Sequence, residues 1–310
     1  MICVFIDGKE GTTGLRIWER LQGRDDISLI TLPEEKRKDP LARREAIHSA
    51  DTVFLCLPDA AAIEAAELAK GSRARIIDAS TAHRTNPDWD YGFPEISLIS
   101  RGKIANSQRV ANPGCHASGF ISLVRPLVDN GILSKDVLLT CHSITGYSGG
   151  GKKMIAQYES AENDLLLSSP RQYGISQKHK HLPEMAMLSG IENAPVFSPI
   201  VSNFYSGMEV TVPLFASQLC EGKTMEDIKK VYSELYTGPV VKYVDEADEG
   251  GFLSSTALAG KDSMEISVHG NDERIILVSR YDNLGKGASG AAVQCFNIMH
   301  GLDETLSLEL

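Results

Sequence analysis

Short apolar runs alternate with amphipathic stretches through the first hundred residues. Ile2–Ile6 runs into a glycine turn and is followed by helical spacing over Leu15–Leu21. Ser28–Leu32, a helix through Ala42–His48, Thr52–Leu57, a helix through Ala60–Lys70 and Ala74–Ile77 continue the rhythm. Short unbroken apolar strands separated by helices predict a parallel sheet covered on both faces. From about residue 137 the pattern changes. Val137–Ser143, Val196–Val201, Glu209–Leu214, Val240–Val244, Met264–Val268 and Arg274–Val278 read as strands with fewer helices between them. That predicts an antiparallel or mixed sheet in a second domain. Leu284–Leu302 returns to helical spacing and is expected to pack onto the first domain.

Composition changes this picture little. The 310 residues suggest two domains at roughly 150 each, and 42% hydrophobic with 23% charged residues is ordinary for a globular chain. The 31 Lys and Arg against 41 Asp and Glu leave a net charge of −10. Nucleic acid and anionic membranes need a concentrated positive field, so neither is an expected partner. The longest apolar run is far short of the roughly 20 residues of a membrane helix. The start has no basic segment and no small-residue cleavage site, which predicts a cytoplasmic protein. Glu246–Glu249 reads as a solvated acidic loop. Six scattered cysteines without a CxxC pair read as reduced thiols, five of them core.

Chemistry enters at the first turn. Gly8, Gly11 and Gly14 let the backbone turn tightly, approach a pyrophosphate and pack helix on strand. The helix start would present free N–H groups to phosphate, with Thr12 and Thr13 adding hydroxyl donors. A purely structural turn is the alternative, since the spacing is GxxGxxG rather than GxGxxG. After the second strand come Glu34 and Glu35, then Lys36-Arg37-Lys38. Lys36 and Arg37 suit an adenosine 2′-phosphate, which favours NADP(H) over NAD.

Cys115 differs from the other cysteines. It follows Asn112-Pro113-Gly114 and opens an apolar helical run to Leu127. A thiol at a helix N-terminus faces the positive end of the dipole, which favours a nucleophilic thiolate. Its expected acid–base partner lies in Lys178-His179-Lys180-His181-Leu182-Pro183-Glu184, where Pro183 opens a helix. His179 and His181 share one face if that segment is extended, and Glu184 would orient a histidine or contact substrate. The remaining histidines, His116 among them, read as isolated. Two histidines and a glutamate could also ligate a metal, but no third close ligand follows and no metal is expected.

Asn112–Cys115, the glycine turn and His179–Glu184 together resemble the N-acetyl-γ-glutamyl-phosphate reductases, in their shorter bacterial form. Tyr91–Glu95, Thr145–Lys152 and Asn283–Gly290 extend the likeness over essentially the whole chain. The family is related to aspartate-semialdehyde and glyceraldehyde-3-phosphate dehydrogenases. The resemblance implies an α/β chain with an NADP-binding Rossmann domain over 1–114 and 285–310. An α+β catalytic and oligomerisation domain over 115–284 completes it, with assembly as a homodimer or homotetramer. It places the nucleophile on Cys115, the phosphate turn on Gly11–Gly14, the acid–base histidine on His179 or His181, and Asn283, Lys286 and Gly287 near the nicotinamide. His116 departs from the aromatic residue that often follows the family's cysteine.

The implied reaction is NADPH-dependent reduction of N-acetyl-γ-glutamyl phosphate through a cysteine thioester, with inorganic phosphate released, in arginine biosynthesis. Its substrate is anionic, so cations are expected at the site: Arg84, Lys152, the Gly149–Gly151 amides, and more weakly Ser80 and Ser148. The nearer rival is an aspartate-semialdehyde dehydrogenase-like acyl-phosphate reductase. A Cys/His thiol hydrolase and a non-catalytic nucleotide-binding regulator are the distant ones.

Overall fold

The computed structural model describes residues 1–162 and 164–310, and the chain divides into two compact units. The first comprises Met1–Pro94, Ile99–Pro113 and Ala288–Leu308, and the second comprises Glu95–Leu98, Gly114–Gly287 and Glu309–Leu310.

The first unit is built on β1 (Ile2–Asp7), α1 (Thr12–Leu21), β2 (Ile27–Ile30), α2 (Pro40–Ser49), β3 (Thr52–Leu55), α3 (Asp59–Leu68), β4 (Arg75–Asp78), β5 (Asp90–Tyr91), α4 (Ser100–Asn106) and β6 (Arg109–Ala111). The strands form one sheet in the order β2-β1-β3-β4-β6-β5. All of its pairings are parallel. Alternation along the strands divides the apolar side chains between two clusters. Val4, Ile6, Phe54, Ile77 and Val110 face α1, α4 and the last helix of the chain, while Phe5, Val53, Leu55 and Ile76 face α2 and α3. α1 buries Gly14, Ile17 and Leu21, a 3.6-residue stripe. Asp39 accepts the Leu41 amide and caps α2, with Pro40 at its first position. Strand order reverses around β1, so the carboxyl ends of β1 and β3 frame the crevice where such sheets take ligands.

The second unit holds α5 (Cys115–Asp129), β7 (Thr140–Gly146), α6 (Gly151–Glu159), β8 (Arg171–Gln172), α7 (Leu182–Ser189), β9 (Val196–Ser202), β10 (Met208–Phe215), α8 (Met225–Leu235), β11 (Val241–Tyr243), β12 (Met264–Gly270) and β13 (Arg274–Tyr281). Its seven-stranded sheet runs β11-β12-β13-β10-β7-β9-β8. β11–β12 and β7–β9 pair parallel and the rest antiparallel, so the sheet is mixed. α5 approaches the sheet at Gly119, where a Cβ would sit 2.5 Å from Val210 Cγ2. Pro126 lies inside α5 and cannot donate to the Ser122 carbonyl. The Tyr236 hydroxyl at the end of α8 donates to that carbonyl instead, at 2.7 Å.

Several expectations need correction. The run at Val137–Ser143 pairs over Thr140–Gly146, because its first residues are irregular. The stretch from Leu284 is a π-turn at Gly285–Ser289 before α9 (Gly290–Met299); β5, β6, β8 and α4 are too short for periodicity to reveal, and α6 and α8 interrupt a region expected to be mainly strands. Glu246–Glu249 is not simply a solvated loop, since Glu249 pairs with buried Arg280, which also donates to the Ala247 carbonyl at 2.6 Å. Of the five cysteines read as core, Cys141 and Cys295 are buried but Cys3, Cys56 and Cys220 are half-buried.

Candidate active site

The glycine turn of the first unit is fixed by steric necessity. Gly8 has φ +89°, and a Cβ there would lie 2.3 Å from the Cys56 carbonyl oxygen just beyond β3. At Gly14 a Cβ would meet Gly8 O at 2.5 Å, so α1 closes directly onto the turn. α1 starts behind Gly11 with no side-chain cap, leaving its first amides available. Thr12 Oγ1 is buried there, with no hydrogen-bond partner among the described residues, and Thr13 stands beside it, half-exposed. Next to the turn is a cavity of about 230 Å³ lined by Asp7, Gly8, Lys9, Thr31, Arg37 and Lys38 among others. An uncapped helix start, an orphaned hydroxyl and glycines that admit close approach fit a dinucleotide phosphate.

The basic triplet behaves differently from expectation. Lys36 is exposed on the short 3₁₀ turn Glu34–Lys36 and does not line the cavity; Lys38 does. Arg37 lines it and pairs with Glu10 at 3.1 Å. Asp7 is engaged by Arg43 at 2.9 Å, and burial raises its carboxyl despite that partner. At the carboxyl end of β4, Ser80 donates to Asp78 at 2.7 Å and His83 contacts the same carboxylate at 2.6 Å. Arg84 is buried, donating through Nε to Asn112 O at 2.9 Å and through Nη2 to Ala79 O at 3.1 Å.

In the second unit Cys115 is the first residue of α5, behind uncapped Gly114. Glu184 Oε1 accepts the Gly114 amide at 2.8 Å. The Tyr281 hydroxyl donates to the Cys115 carbonyl at 2.5 Å, and Gly119 N–H donates back to it at 3.0 Å. Gly287 comes close because it lacks a side chain; a Cβ there would be 3.1 Å from Cys115 Cβ. The structure therefore gathers Cys115, Glu184 and Gly287.

His179 and His181 are not on an extended segment. His181 immediately precedes α7 in helical conformation, and Pro183 is the second residue of that helix. Their rings meet edge to face at 4.8 Å, the His181 amide contacts His179 Nδ1 at 3.3 Å, and burial lowers the His179 ring first, then Lys180. His181 is buried and three residues before Glu184, the helical neighbour that holds Gly114. His116 is not isolated either. Its ring contacts both, at 5.7 and 5.6 Å between centroids, and bonds Ser143 and Tyr173. Among the described residues no three ligating side chains are placed to hold a metal ion.

Two residues expected at the nicotinamide have partners within the unit. Lys286 is 1% exposed and pairs with Glu95 at 2.7 Å. Asn283 accepts the Gly207 amide at 3.0 Å and donates to Ser148 Oγ at 3.0 Å. Lys152 is exposed at the start of α6. Sequence reasoning missed Glu95, Tyr173, Ser143 and Tyr281, because only the fold gives them their partners; Glu95 alone carried a signal, as the last residue of Tyr91–Glu95.

Two units of this architecture, one with an open glycine turn and one with a cysteine at a helix start, define a semialdehyde dehydrogenase. Residues 115–283 match the semialdehyde dehydrogenase dimerisation domain and residues 12–105 its NAD-binding domain. The chain belongs, within that class, to the N-acetyl-gamma-glutamyl-phosphate reductase family. It is 46% identical over 303 residues to the Sinorhizobium medicae protein of that name, covering 96% of this chain and 98% of that one. It is 44% identical to N-acetyl-gamma-glutamyl-phosphate reductase 2 of Nostoc, covering 98% of each. Among solved structures, aspartate semialdehyde dehydrogenase II from Vibrio cholerae matches with TM-score 0.73 at 17% identity, over 97% of this chain and 99% of that one. The Candida albicans enzyme solved with NADP matches at TM-score 0.68 and 13% identity, over 97% and 99%. Those likenesses concern the fold. Among the described residues no helix is long and apolar enough to cross a membrane.

Proposed function

We propose that the protein reduces N-acetyl-γ-glutamyl phosphate to N-acetylglutamate 5-semialdehyde and inorganic phosphate in arginine biosynthesis, with Cys115 as nucleophile. The carrying observation is Cys115 at the uncapped start of α5, with Glu184 holding the preceding amide. The helix start favours an anion on that sulfur, and its first amides can stabilise an oxyanion on the attached acyl carbon. Cys115 attacks the acyl phosphate carbon, the carbon–oxygen bond to phosphate breaks, and a thioester forms. NADPH, when bound, supplies the hydride. His181 protonates the resulting thiohemiacetal oxygen and takes the proton back as the carbon–sulfur bond breaks, freeing aldehyde and thiolate. His181 is preferred over half-buried His179 because Glu184 ties its helix to the cysteine turn.

The Gly8–Gly14 turn with Thr12 and Thr13 would hold the cofactor's phosphates, and Arg37 with Lys38 its 2′-phosphate. Asn283, Lys286 and Gly287 then act less as direct ligands than as the scaffold beside Cys115. Arg84, aimed by two backbone carbonyls, and the uncapped start of α6 near Ser148 and Lys152 are the anion-holding candidates, with Ser80 shaping the Asp78 loop. In this reading the first unit is the cofactor domain and the second the catalytic domain, and the protein acts as a cytoplasmic homo-oligomer. Phosphate-dependent NADPH formation from the aldehyde tests the reaction. Activity only with aspartate semialdehyde, or NADPH formation that does not depend on phosphate or arsenate, overturns it.

A further inference from the structure

Ser143, His116 and Tyr173 form a chain that none of these steps uses. His116 follows Cys115 on α5 and is 2% exposed. Its Nδ1 lies 2.7 Å from Ser143 Oγ on β7, and its Nε2 lies 2.6 Å from the Tyr173 hydroxyl just beyond β8. Around the ring stand His179, His181 and Phe197, the last at 5.3 Å between centroids. Burial, helped by His179 and Lys180, pushes the ring down to about 3, so it is neutral.

A neutral imidazole has one N–H, and each flanking hydroxyl has one O–H. Two arrangements therefore satisfy both contacts. In the first, Ser143 donates to Nδ1, Nε2–H donates to Tyr173, and the phenolic proton points away from the ring. In the second, Tyr173 donates to Nε2, Nδ1–H donates to Ser143, and the serine proton has nowhere to go. Ser143 is 0% exposed, and among the described residues its hydroxyl has no hydrogen-bond contact except His116. Tyr173 is half-buried and can offer its proton to water or a ligand. Stranding a donor inside the core is the costlier choice, so burial selects the first arrangement. Tyr173 also feels the sulfur: burial, then the Cys115 thiolate, pushes its phenol up.

We propose that His116 is a positioning residue, held by Ser143 as its Nε2–H tautomer, which fixes Tyr173 with its hydroxyl proton offered to the acyl group carried on Cys115. This rests on Cys115 being the reacting centre.

The first measurement is the tautomer itself, by ¹⁵N NMR of histidine-labelled full-length protein. A protonated Nε2 with a bare, hydrogen-bonded Nδ1 on His116 is expected; the opposite tautomer or a doubly protonated ring overturns the proposal. The second is a cycle. Ser143→Ala, remote from the reacting atoms, lowers kcat by about three- to tenfold, the worth of one neutral hydrogen bond. Ser143→Thr restores it, and Ser143→Ala adds nothing in a Tyr173→Phe background. An unchanged Ser143→Ala, or one that is additive with Tyr173→Phe, overturns the relay. If the tautomer is as stated but acyl-phosphate reduction is absent, the reading of the reaction fails instead. Should Ser143→Ala not fold, the tautomer in the unmodified protein still decides.

Discussion

Glu184 on α7 accepts the amide of Gly114, 2.8 Å away and one residue ahead of Cys115. A buried carboxylate thereby occupies the backbone donor immediately ahead of the helix.

Removing that acceptor has a defined consequence. Glu184→Leu leaves the Gly114 amide buried and unpaired, a loss of about 1–3 kcal/mol. It is expected to lower kcat more than tenfold with a small change in KM. Glu184→Gln keeps an acceptor oxygen and retains most of the rate. Steady-state kinetics on both variants, with thermal melts as a control, check this. Equal loss in both would mean that the charge, rather than the hydrogen bond, is what matters.

Cys115→Ser is expected to abolish turnover while NADPH binding stays near that of the unmodified protein. The hydroxyl cannot form the thioester, and the Gly8–Gly14 turn is untouched. Fluorescence titration of NADPH beside the activity assay separates the two, and substantial residual turnover contradicts a covalent route.

The buried His116 ring links stability to pH. Its folded value, about 3, lies below the ordinary 6.5, so the unfolded chain binds the extra proton between these limits. The stabilisation is complete above about pH 6.5 and drains away as pH falls toward 3, amounting to about 2 kcal/mol lost by pH 5. Urea melts at pH 7.5 and 5 should show that loss, and His116→Phe should shrink it. A pH-independent difference between the two proteins would remove His116 from the acid sensitivity.

Arg37 and Lys38 border the cavity beside the glycine turn. Replacing both with alanine should raise KM for NADPH by an order of magnitude or more, from two lost charge-assisted bonds of about 1.5–3 kcal/mol each at most. NADH kinetics should barely move. Equal weakening of both cofactors would place the 2′-phosphate elsewhere.

Tyr236→Phe strands the Ser122 carbonyl that Pro126 cannot serve. Chemical denaturation should register about 1–3 kcal/mol of lost stability, with the thermal midpoint down and kcat nearly unchanged. A neutral result would mean that another donor reaches the carbonyl.

Much of the chemistry could be read along the chain because it is local. The turn Gly8–Gly14, the Pro-Gly step into Cys115 and Pro183 at a helix start each announce backbone geometry within a few residues. His179 and His181 were found the same way, though their extended geometry was not. The pairings of Lys286 with Glu95 and of Asn283 with Ser148 span more than a hundred residues, and no periodicity carries them. The basic triplet shows the boundary within one segment: its composition pointed to phosphate, but which two of its three side chains face the cavity depends on how the turn at Glu34–Lys36 folds.

The order of residues by itself determined the parallel sheet of the first unit, the glycine turn and the cysteine that opens a helix, since strand period, left-handed turns and helix starts are properties of neighbouring residues. Only the folded chain decided that Glu184 reaches Gly114, that Glu95 takes Lys286, and that His116 lies between two hydroxyls. Those choices depend on burial and on partners brought together across β7, β8 and α7, where an unpaired polar group in a low-dielectric interior is costly enough to select a single arrangement.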